Sequence, residues 1–152
     1  MTLFRWMLVA LLCWPGFASH AAPSGSDELQ FHPGPADAPF SVAVRAGRTL
    51  YLSGQIGARA DGSLPADFDA QARQAMDNIA ATLKDFGVGM DRIAKCTVFI
   101  ADMKNWSRFN AVYTRYFARG RMPARSALGA SGLALGAAVE VECIAELPEE
   151  PR

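Results

Sequence analysis

Residues 67–89, DFDAQARQAMDNIAATLKDFGVG, limit the choice of fold more than any other part of the chain. Ala72, Ala75, Met76, Ile79, Ala80, Leu83 and Phe86 recur at steps of three and one, which draws one apolar stripe along a helix. Asp67 or Asp69 is placed to cap its start and Gly87 to end it. The Met and Phe of this stripe read as core packing rather than as ligand contacts. A helix with one apolar face must bury that face against a second layer, and its neighbours in sequence supply one. FSVAVRAGRTLYLSGQIG alternates as a strand over 40–45, turns at Ala46 and Gly47, and resumes as a strand over 49–56. RIAKCTVFIAD reads as a third strand. KNWSRFNAVYTRYFARG reads as a second helix, with Trp106, Phe109, Val112, Tyr113, Tyr116 and Phe117 on a broad apolar face and Gly120 beyond its end. ARSALGAS gives a short strand and GAAVEVECIAEL a longer one. The order ββαβαββ predicts a single α+β domain, a mixed β-sheet with two helices on one face. No further element remains for the other face, so burial by other copies of the chain is expected.

The 152 residues are enough for one core, and 51% hydrophobic content describes a folded chain. A formal net charge of zero argues against nucleic acid as the main partner. At the N-terminus, Arg5 precedes an apolar run from Trp6 to Trp14, Pro15 and Gly16 break it, and small residues follow. This is the layout of a secretory signal peptide over 1–21, cut after Ala21, with an uncleaved anchor as the lesser alternative. The run is too short to span a bilayer, so the mature form is expected to be exported, with the periplasm as its destination, and to have no membrane segment. Residues 22–37 then form a proline-rich, loosely held lead-in, 38–148 the domain and 149–152 a tail.

Cleavage would remove Cys13 and His20 and leave His32, Cys96 and Cys143. No Cys/His cluster with metal-ligand spacing remains, and no core histidine is available to a serine or cysteine nucleophile, so zinc chemistry and triad hydrolysis are both disfavoured. Cys96 and Cys143 each sit in an apolar strand-like run. They read first as two buried small side chains, with a disulfide as the alternative in an oxidising compartment. On the last strand Glu140, Glu142 and Glu146 share one face, either a solvated surface or a proton acceptor turned to a cleft. Arg125, where a short strand begins, is either a structural ion pair or a fork for a carboxylate. Arg115 and Arg119 fall at the spacing of an exposed helix face. Ser53, Gly54 and Gln55 interrupt a strand, as a bulge or as a place where a ligand approaches the backbone.

LYLSGQIG, DAQARQAMDNIAATLKDFG, KCTVFIADMKNWSRFNAVYTRYF and PARSALG followed by VEVECIAEL closely resemble the Rid family, the reactive intermediate deaminases, also called the YjgF family. The resemblance covers roughly residues 38–147. It implies a chorismate-mutase-like α+β fold, a homotrimer with clefts at the subunit interfaces, and hydrolysis of small 2-imino acids to 2-oxo acids and ammonia without cofactor or metal. Arg125 matches the family's carboxylate anchor and Glu140 its water-positioning glutamate. Ser53 and Gly54 match the segment lining the pocket, and Asn110 matches a pocket asparagine. Two positions depart from the common pattern: Ala127 stands where a cysteine is usual, and Phe40 where a tyrosine is usual. These departures keep open a second function, a non-catalytic trimer binding small carboxylates in the same clefts. An RNA-cleaving or chaperone-like activity, attributed to some relatives, is disfavoured by the neutral charge and the lack of a catalytic histidine.

Overall fold

The computed structural model describes residues 28–149. The expected signal peptide, its cut after Ala21 and the last three residues lie outside them. The described chain runs β1 (Gln30–Pro33), β2 (Ser41–Ala46), β3 (Thr49–Ile56), α1 (Phe68–Asp85), β4 (Ile93–Ile100), α2 (Trp106–Tyr113), β5 (Ala124–Gly129) and β6 (Val139–Glu146). The strands form one mixed sheet in the order β1-β2-β3-β6-β4-β5. All neighbours are antiparallel except β4 and β5. A parallel pair needs a crossover connection, and α2 lies within it.

The helix stripe folds as its spacing requires. Asp67 caps α1 by accepting from the Ala70 N–H at 3.0 Å. At the other end Gly87, with φ of 70°, lets its own N–H reach the Lys84 carbonyl and the Val88 N–H the Leu83 carbonyl. Met76, Ile79 and Leu83 are fully buried, each contributing about 1.5–3 kcal/mol by leaving water. They pack over β3 and β6 beside α2. Val139, Val141, Cys143 and Ala145 of β6 face the helices, so this strand takes the centre of the sheet. Tyr51, Lys95, Glu142 and Leu128 stand exposed on the opposite face.

Three expectations need correction. The lead-in carries β1: His32 pairs with Ala43 on β2 and sets its ring edge-on to Phe86, with centroids 4.5 Å apart. As an edge strand β1 tolerates Pro33, which has no N–H to give a ladder. The second helix is shorter than its apolar pattern. The Thr114 hydroxyl donates to the Asn110 carbonyl, and the Tyr116 hydroxyl reaches back to Asp77 and the Arg73 carbonyl on α1. The chain tightens into a 3-10 turn there and becomes extended at Phe117. Finally, Cys96 and Cys143 are not separate buried thiols. They are directly opposed across β4 and β6 and are joined by a disulfide.

Candidate active site

Arg125 sits on the edge strand β5 in register with Cys96, so its side chain lies on the helix-covered face. Its guanidinium carbon lies 4.6 Å from the ring centre of Tyr113, 4.7 Å from that of Trp106 and 5.9 Å from that of Phe109. These rings are spaced three and four residues apart on α2, which brings them onto one stripe. A cation over aromatic faces is attracted by their quadrupoles, and the contact strengthens as water is excluded. Asn110, one helical turn from Trp106, shares the stripe. Its Oδ1 and the Tyr113 hydroxyl are both buried without a hydrogen-bond partner among the described residues. Burial pushes the Tyr113 hydroxyl's pKa up, opposed in part by the charge of Arg125. Ala127 follows on the same face and packs against the core.

Arg125 does not form the structural ion pair that its position allowed. Among the described residues the arginines in ion pairs with carboxylates include Arg48, Arg92 and Arg108, and no carboxylate pairs with Arg125. Glu146 is held by Arg48 and Arg92. Glu140 and Glu142 alternate with the buried residues of β6 and so face away from Arg125.

The other predicted residues gather elsewhere. The register of β3 against β6 shifts between Leu52 and Gln55, which makes Ser53 and Gly54 a bulge. The Ser53 hydroxyl donates to the Ser41 carbonyl at 2.6 Å and ties the bulge to β2. Glu140 lays its carboxylate over Gly54, where any Cβ would collide with it. Phe40 precedes Ser41 and is half exposed. The predicted residues therefore fall into two candidate part-sites on one chain, Arg125 with Asn110, and Glu140 with Gly54, Ser53 and, beside the Ser41 that Ser53 bonds, Phe40.

Sequence reasoning misses two contributors around Arg125. Trp106 and Tyr113 read as part of a core stripe, and they do pack there, but their rings also hold the guanidinium. Asn110, a polar residue one turn from each along that stripe, is the available signal. Gln71, buried within the α1 stripe, is missed as well. Its amide donates to the Pro65 carbonyl at 2.7 Å and its oxygen accepts from the Ala138 N–H at 2.8 Å.

The sheet order and the two helices define a small α+β protein in which an arginine stacks on aromatic rings with no carboxylate partner among the described residues. The family model described as endoribonuclease L-PSP matches residues 32–147, and the chain belongs to this family, the YjgF/Rid family. A mouse protein named 2-iminobutanoate/2-iminopropanoate deaminase is 39% identical over 109 residues, which is 70% of this chain and 80% of the mouse protein. A bovine protein of the same name is 41% identical over 109 residues, 70% of this chain and 79% of its own. Among solved structures, a Yersinia pestis protein of the conserved Rid family superposes with a TM-score of 0.73 at 38% identity, covering 79% of this chain and 100% of that one.

Proposed function

We propose that this protein hydrolyses small 2-imino acids, and their enamine tautomers, to 2-oxo acids and ammonia in clefts between copies of the chain. The observation that carries this reading is the Arg125 guanidinium, held between Trp106 and Tyr113 with no carboxylate partner among the described residues. Arginine binds a carboxylate through two parallel N–H bonds, which fixes the plane of a small acid as well as its position. The reaction asks little more. A protonated C=N beside that carboxylate is electrophilic enough for water, so catalysis consists of holding the acid and placing one water. Glu140 suits the placing of that water. It accepts a proton from the water as the C–O bond forms, giving a carbinolamine, and returns that proton to the nitrogen. The C–N bond then breaks, ammonia leaves with the bonding pair, and the hydroxyl proton passes to water as the C=O of the 2-oxo acid forms.

Because Arg125 and Glu140 occupy opposite sheet faces, the complete site draws Arg125 from one copy and Glu140 from another. The exposed sheet face bearing Tyr51 and Lys95 supports such an assembly, which we take to be a homotrimer. The relatives named as imine deaminases support the substrate class. Export to an oxidising compartment agrees with the N-terminal pattern and with the Cys96–Cys143 disulfide, since such bonds persist outside reducing cytosol.

An amino-acid oxidase that generates a 2-imino acid beside the protein provides the test. Parent protein should speed 2-oxo acid release, and Arg125→Ala should lose about 10- to 100-fold in kcat/KM, the worth of a charge-assisted pair. Equal rates for parent and variant would exclude the anchor. Ala127 and Phe40 support a second reading, a carboxylate binder without turnover, which predicts acid binding but no acceleration on any imine offered.

A further inference from the structure

The Arg125 fork is useful only if its N–H edge points at the ligand, and an arginine on an edge strand has several rotatable bonds with which to wander. Around it the structure holds two aromatic faces at nearly equal distance, Trp106 at 4.7 Å and Tyr113 at 4.6 Å. Tyr113 is buried at 3% exposure and Trp106 is partly buried at the first turn of α2. Neither side chain carries a charge that competes with a carboxylate, and the Tyr113 hydroxyl makes no hydrogen bond to the guanidinium.

We propose that Trp106 and Tyr113 are positioning residues that clamp the Arg125 guanidinium by its faces, leaving its donor edge free for the incoming carboxylate. This inference rests on the carboxylate-anchor part of the proposed function and not on turnover. Arg108, two residues after Trp106, supports the clamp from outside. It bonds Asp67 and Asp69 at 2.8 Å each and so fixes the start of α2 against the start of α1. A clamp of this kind lowers the ordering cost of binding, because the side chain is already held in its bound geometry. It also makes Trp106 a reporter: an anion drawn into the fork alters the charge that lies against the indole.

The experiment uses the full chain with Trp6→Phe and Trp14→Phe, which leaves Trp106 as its single tryptophan. The probe is 2-oxobutanoate, a stable planar 2-oxo acid. Titration should change Trp106 emission saturably, and Arg125→Ala should abolish the change. By calorimetry in the otherwise native chain, Trp106→Leu and Tyr113→Leu should each weaken 2-oxobutanoate binding about 5- to 30-fold, the range of a partly desolvated cation–π contact. Trp106→Phe and Tyr113→Phe, which keep a ring and the packing, should restore most of the affinity. A merely structural role would not give this ring-dependent rescue at unchanged thermal midpoint. Parent-like affinity in folded leucine variants would overturn the clamp alone. Failure of the parent chain to bind the acid would overturn the anchor and the clamp together.

Discussion

Arg125 and Glu140 project from opposite faces of the same sheet, Arg125 level with Cys96 on the helix side and Glu140 level with Phe99 on the open side. A small acid gripped by one cannot touch the other within a single chain. If both serve one reaction, inactive Arg125→Ala and Glu140→Gln chains should complement each other when unfolded together and reassembled. Random mixing should restore about a quarter of parent activity, the share of interfaces that receive an intact residue from each side. Measured on the coupled oxidase assay, no recovery above the separate variants would place both residues on one copy.

Gly54 is where the second part-site has least room. The Glu140 carboxylate occupies the space a Cβ would need, whereas the backbone of Gly54 has no positive φ that demands glycine. Gly54→Ala should therefore cost little stability, because a flexible carboxylate can move aside, but should turn Glu140 from its present direction. The expected result is a kcat reduced about 10-fold or more with the affinity for 2-oxobutanoate unchanged. Loss of acid binding instead would mean that Gly54 serves the Arg125 half.

Much of this was legible in the sequence because the patterns are local. The α1 stripe, its Asp67 cap and the Gly87 ending follow from steps of three and four and from short-range backbone demands. The alternation on β6 likewise separates Val139 and Val141 from Glu140. What the sequence left open depends on register. Whether Cys96 meets Cys143 depends on how β4 slides along β6, and whether Arg125 meets an acid depends on which strand lies between β5 and β6. β1 was hidden because an edge strand needs little apolar alternation and accepts Pro33. Trp106 and Tyr113 were legible as core residues, but their second contact, with an arginine from another element, leaves no local trace.

The Cys96–Cys143 bond closes a loop of sequence separation 47 and joins the two strands behind Arg125. Chain-entropy arguments assign about 4 kcal/mol to a loop of that length, a large part of the stability of a small domain. The Cys96→Ala/Cys143→Ala protein, compared with parent in urea denaturation, should lose an amount of this order. Adding a dithiol should destabilise the parent and leave the double variant unmoved. Identical midpoints with and without dithiol would show that the bond is absent from the folded protein in solution.

Gln71 ties the start of α1 to the entry of β6. Its side chain bridges the Pro65 carbonyl and the Ala138 N–H in a buried setting, and Ala138 lies two residues before Glu140. Replacing it with leucine keeps the volume but strands a buried donor and a buried acceptor, at a cost of about 2–4 kcal/mol for the pair. The entry of β6 then loses its tether while the Arg125 half, on another strand and another helix, keeps its own contacts. Gln71→Leu should accordingly lower kcat more than it raises KM, and the 2-oxobutanoate affinity of the folded fraction should match that of the parent. Gln71→Glu, which keeps the acceptor for Ala138 but not the donor for Pro65, should fall between the two in stability. A Gln71→Leu protein as stable as the parent would show that water satisfies both groups and that the tether is not needed.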